Sequence, residues 1–97
     1  MNFEQETARA RDLLRLEKID HNATPTMLSA CYCWGEGSER QELSFSIVES
    51  GGSIVATVTG PREHVENIPP LDAVRLFLGQ YRFFETEIRR HETNVRA

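Results

Sequence analysis

No stretch of this 97-residue chain stays apolar for the ~20 residues that a membrane-crossing helix needs. The N-terminal residues, Met1-Asn2-Phe3-Glu4-Gln5-Glu6, are polar and acidic. They lack the basic start and apolar stretch of a secretory leader, so the cytoplasm is the expected compartment. Lysine is almost missing: Lys18 is the one lysine among 11 basic residues. Codon bias in a GC-rich bacterial or phage genome would produce such a preference for arginine. The net charge of −4 and pI of about 5.3 disfavour bulk attraction to nucleic acid or an anionic membrane. Phosphate-binding glycine patterns are absent too. Gly35-Glu36-Gly37 and Gly51-Gly52 lack the lysine, the spacing and the following helix. There is no nucleophile-elbow sequence, so a catalytic serine has no support.

What is present is a globular composition, 39% hydrophobic and 27% charged, of a length that makes one domain over residues 1–97. Asn2 to Asp20 reads as a helix capped by Asn2, with Phe3, Ala10, Leu13 and Leu14 on one face. His21 to Thr26 reads as a connector, because Pro25 forbids helix continuation. Three strands follow. Met27 to Trp34 is the first. Glu42 to Val48 alternates Leu43, Phe45 and Ile47 with serines, and Ser53 to Thr59 alternates Ile54, Ala56 and Val58 with polar positions. Gly35 to Arg40 and Ser50-Gly51-Gly52 carry hairpin-turn chemistry. A polar loop runs from Gly60-Pro61 through Ile68 to Pro69-Pro70, where a last helix begins. The fold class expected is α+β, in the order helix, three antiparallel strands, helix. Its core joins the strand residues above to Leu13, Leu14, Val74, Leu78 and Tyr81.

The last helix, Pro70 to Ala97, carries two apolar faces. Leu71, Val74, Phe77, Leu78, Tyr81, Phe84, Ile88 and Val95 form one stripe, while Leu76 and Phe83 flank Gly79 on the other side. At ~1.5 Å per residue this helix is also ~15 Å longer than a seven-residue strand, unless it breaks near Gly79. A face that the sheet cannot cover calls for another partner. Leu76, Gly79, Phe83 and Phe84 are therefore the candidate partner-binding residues, joined by Trp34 at a strand end as an aromatic anchor.

Other constellations are weaker. Cys31 and Cys33 point to the same face of a strand, but a complete zinc site needs about four ligands. His21, His64 and His91 do not pair at ligand spacing, so the expectation is two reduced thiols packing as small apolar groups, with no metal and no cofactor. Ser44, Ser46, Thr57 and Thr59 would line a solvated outer sheet face, and His64 reads as a solvated loop histidine. Arg82, Arg89, Arg90 and Arg96 interleave with Glu85, Glu87 and Glu92, the pattern of helix-surface ion pairs.

The element order resembles the double-stranded-RNA-binding domain in outline. That family grips phosphates with a lysine-rich motif at the start of its last helix. Here that stretch is Pro69-Pro70-Leu71-Asp72-Ala73-Val74, which has no lysine and carries an acid. The function expected is instead a non-enzymatic protein–protein interaction module, a small acidic adaptor or inhibitor, homodimeric through the last helix. The alternative is a nucleic-acid-associated factor using the Arg-rich end of that helix. A metal or small-ligand domain built on Cys31 and Cys33 is a third reading.

Overall fold

A computed structural model describes the backbone of residues 2–96 and the side chains as far as Arg90. Val95, counted above in the apolar stripe, and the side chains of His91, Glu92 and Arg96 lie outside the described residues.

The N-terminal segment folds as two short helices, α1 (Phe3–Glu6) and α2 (Ala8–Leu16). Asn2 caps α1 by accepting a 2.9 Å bond from the Glu4 backbone N–H. Thr7 interrupts the run at φ −104°, ψ 4°, fully buried, with its Oγ1 donating to the Phe3 carbonyl at 2.9 Å. Helix α2 stops at Leu16, short of the expected Asp20. Lys18 adopts φ 57°, the Lys18 N–H bonds the Arg15 carbonyl, and the Ile19 N–H bonds the Leu14 carbonyl. Those paired bonds make a Schellman termination. Glycine usually marks it in sequence; here a lysine occupies the left-handed position, so the stop was hidden.

The sheet has five antiparallel strands, not three. They are β1 (Asn22–Thr24), β2 (Met27–Trp34), β3 (Gln41–Ser50), β4 (Ser53–Thr59) and β5 (His64–Glu66), neighbouring one another in chain order. Strand β1 folds back on β2 across Pro25 and Thr26, with Thr24 opposite Met27. Strand β5 returns beside β4 after a turn closed by the Gly60 N–H on the Glu63 carbonyl at 2.9 Å. Both are three residues long and lie on the edges. Neither carries the alternating apolar face that reveals β3 and β4, so both read as loop. The two edge strands also take the chain away from the three-strand order of the RNA-binding outline.

Gly51 and Gly52 both have positive φ, 57° and 81°, in the two-residue turn between Ser50 and Ser53. That is the mirror-image turn whose twist suits a hairpin. In the β2–β3 connection, a Cβ on Gly35 (φ 84°) would meet the Glu39 carbonyl oxygen at 2.6 Å. Only glycine fits there without a shift.

Helix α3 (Pro70–Arg96) lies over β3 and β4, and α2 packs against α3. The core between layers joins Leu28, Ala30, Leu43, Phe45, Ile47, Ala56 and Val58 of the sheet to Phe3, Ala10, Leu14, Ala73, Val74, Phe77 and Leu78 of the helices. Leu13, Ile54 and Tyr81, expected in the core, are half-buried at its margin. Helix α3 is continuous through Gly79. Its last side chain packed on the core, among the described residues, is Phe84. About a dozen helical residues, ~18 Å, continue beyond it. The molecule measures 54 × 27 × 18 Å. No described helix is long and apolar enough to cross a membrane.

Candidate functional site

Aromatic rings run in contact from the core to the surface along α3. Phe45 meets Phe77 edge-on at 5.0 Å between centroids, Phe77 stacks with Tyr81 at 6.5 Å, and Tyr81 meets Tyr32 at 4.8 Å. Tyr32 stacks on Trp34 at 5.2 Å, Trp34 meets Phe84 at 4.7 Å, and Phe84 meets Phe83 edge-on at 5.2 Å. The alternation of β2 produces this ladder. Tyr32 and Trp34 follow Leu28 and Ala30 onto the helix-facing side, and α3 advances along the same direction. Burial pushes the Tyr81 phenol above its usual pKa, and the nearby Glu85 carboxylate adds to the effect.

The ladder ends where α3 leaves the sheet. Phe83 is 43% exposed. The Arg62 guanidinium lies over its ring, 4.4 Å from the centroid. Trp34 and Phe84 are half-buried, and Gly79 is exposed with nothing within 4 Å of a Cβ placed on it. Leu76 stands apart from this group: it is half-buried and packs against the core. Positions 76, 80 and 83 form one stripe on the helix. The β4–β5 turn reaches that stripe, through Glu63 to the Gln80 amide at 3.2 Å and through Arg62 to Phe83. The segment read from sequence as a free polar loop thus takes up part of the second helical face. Three of the five candidate residues, Trp34, Phe83 and Phe84, meet where α3 begins to project, while Gly79 lies one turn earlier on the exposed side of the helix and Leu76 belongs to the body. An ion pair between Glu17 and Arg82 also braces α3 against the end of α2. A second apolar surface lies between α2 and α3, a groove of about 320 Å³ lined by Leu13, Leu71 and Leu16, with Leu16 77% exposed.

The outer face of the sheet is polar. Strand register sets Ser29, Ser46, Thr57 and Glu66 in one row, and Cys31, Ser44, Thr59 and His64 in the next. His64 is hydrogen-bonded through both ring nitrogens, Nδ1 to the Thr59 hydroxyl and Nε2 to Glu66, each at 2.9 Å. Hydroxyl, imidazole and carboxylate are in relay order. The side chains of His64 and Glu66 are 54% and 59% exposed, and the group ties β5 to β4 in open solvent.

Cys31, at the other end of the second row, and Cys33, in the row beyond it, are exposed rather than packed as apolar groups. Their sulfurs are 3.4 Å apart. Glu42 lies directly across from Cys33 on β3, and its carboxylate falls within 4.8 Å of both sulfurs. The Cys31 thiol is pushed up to about 12, first by desolvation and then by hydrogen bonding with Cys33 and Glu42, all of which favour its protonated form. The Arg40 guanidinium is held further above its usual value, first by its interaction with the Cys33 side chain. Sequence spacing within β2 could not supply Glu42. The signal was the hairpin register: once Gly35 to Arg40 is a symmetric turn, Cys33 must face Glu42.

No family model, curated protein or solved structure matches this chain.

Proposed function

We propose that the chain is a non-enzymatic protein–protein interaction module, a small acidic cytoplasmic adaptor, that pairs with a second copy of itself through the projecting half of α3. The observation that carries this reading is the helix outrunning its own core by ~18 Å while bearing exposed Phe83 at the point of departure. Ile88, one turn past Phe84, extends the apolar stripe beyond the last core contact. Trp34 and Phe84 floor the same area, and rings of this size carry much of the binding energy in protein interfaces.

The charge pattern favours a copy of the chain as occupant. Arg82, Arg89 and Arg90 interleave with Glu85 and Glu87 and pair within the chain, so the surface carries no strong field of one sign to repel a second copy of itself. A strongly basic or acidic partner would instead meet like charges. Exposed Gly79 lets the neighbouring backbone approach closely. A specific interface requires roughly 1,000 Å² of total buried area, and two antiparallel projecting helices with the Trp34 edges beside them are the surface we assign to it.

Light scattering and sedimentation test this directly. The unmodified protein is expected to be dimeric at micromolar concentration. Phe83→Glu combined with Ile88→Glu should give a monomer with an unchanged circular-dichroism spectrum, because neither side chain is part of the buried core. An unmodified protein that stays monomeric at high micromolar concentration overturns the reading, as does a double variant that still dimerises.

A further inference from the structure

We infer that Cys31, Cys33 and Glu42 form a binding site for a d10 metal cation, zinc in the first instance, on the outer face of the sheet. Three donor atoms from two adjacent strands already stand together. The sulfurs are 3.4 Å apart, and all three ligand atoms lie within 4.8 Å of one another. Two thiolates each ~2.3 Å from a tetrahedral ion are separated by roughly 3.8 Å, so little movement is needed to seat one. The carboxylate takes a third corner, leaving the fourth to water or to an exogenous ligand, as in open zinc sites.

The scaffold holds these donors firmly. Cys31, Cys33 and Glu42 stand on the part of the β2–β3 ladder that runs beyond the pairing of β1 with β2, where the hairpin register alone holds them. The register that places Cys33 against Glu42 also places Tyr32 against Leu43 and Ala30 against Phe45. Those inward residues lie in or against the hydrophobic core, so the outward ones cannot slip by a residue without turning the core out to solvent. A ligand set on such elements is better fixed than one on loops.

The donor chemistry selects the ion. Thiolate sulfur suits zinc, cadmium or copper(I), and the all-oxygen preferences of calcium and magnesium are not met. Binding replaces each thiol proton by the metal, with both protons released to solvent and no change of oxidation state. Two thiolates and one carboxylate bring three negative charges. A divalent ion neutralises two of them. The site is independent of the dimer reading, since it lies on the sheet face opposite the helices.

The test uses the full chain, stripped with a chelator and kept reduced with a non-thiol reductant. Dialysis against equimolar zinc should leave one zinc per chain by elemental analysis, and cobalt(II) should give the thiolate charge-transfer and intense visible bands of a tetrahedral sulfur site. Magnesium and calcium at the same concentration should not compete. Cys31→Ser and Cys33→Ser should each weaken zinc binding by more than the roughly 10- to 100-fold that loss of an outer-shell partner costs. Glu42→Gln should weaken it by at least roughly tenfold. Glu49→Gln, on the same strand, should have no effect. Circular dichroism of the variants checks that the fold is retained. Less than one zinc per chain overturns the site. Unchanged binding in Cys31→Ser, or in Glu42→Gln, overturns the three-donor arrangement.

Discussion

At the residue scale, surroundings matter more than identity. Tyr81 sits between Phe77 and Tyr32, and Glu85 lies close by, so its phenol is held above the usual tyrosine range. A raised folded value means that the neutral form is favoured in the native state. The contribution to stability is complete below the unfolded value, about 10, and is lost as pH rises through the folded value. The denaturant midpoint should therefore hold up to about pH 9 and fall progressively beyond about pH 10. Tyr81→Phe removes the titrating group and should flatten that decline. If the variant loses stability over the same range as the unmodified protein, the alkaline sensitivity lies elsewhere. Cys31 and Cys33 make the same point differently. As residue types they suit a core, yet the pleat turns both outward because Tyr32 between them turns inward.

At the scale of elements, the places where folding departed from simple patterning are chain reversals. Helix α2 ends in a Schellman motif with Lys18 at φ 57°, a conformation that costs an L-residue with a side chain roughly 1 kcal/mol. Lys18→Gly should relieve this and stabilise the fold by about 0.5–1 kcal/mol, read as a higher denaturant midpoint with an unchanged slope. A lower midpoint would mean that the lysine stem contributes packing that outweighs the backbone strain. Strands β1 and β5 show the converse. Each is short and carries little apolar signal, and each forms because a reversal brings it beside a strong neighbour whose edge would otherwise be unpaired. Helix α3 is the opposite extreme. Its periodic apolar pattern runs through Gly79 without a break, and the helix follows it past the end of the sheet.

At the scale of the whole molecule, charge and shape bear on what the protein meets. The net charge is −4, and among the described side chains of α3 Arg89 pairs with Glu85 and Arg90 with Glu87, which offsets their positive charge. Non-specific nucleic-acid binding depends on phosphate neutralisation by basic faces. Generic duplex DNA or RNA should therefore give no mobility shift at submicromolar protein and physiological salt. A shift with steep salt dependence would instead favour the nucleic-acid reading of the Arg-rich helix. The outline is elongated, 54 Å against 18 Å in its thinnest dimension, and the projecting end of α3 is the feature that the proposed pairing would cover.

The α+β class, the three long strands, the hairpin turn at Gly51 and Gly52 and the reach of α3 were all determined by the sequence. Each depends on periodicity or on turn chemistry within a few neighbouring residues. Tertiary structure alone decided the rest. The width of the sheet depended on edge pairing, which leaves almost no mark on the residues that do it. The placement of Leu76 depended on the β4–β5 turn reaching across to α3. The meeting of Glu42 with Cys31 and Cys33 depended on the register of one hairpin. The first two are decided by which backbone lies beside which, and no periodic pattern encodes them; the third follows from turn length and register rather than from the spacing of residues along one strand.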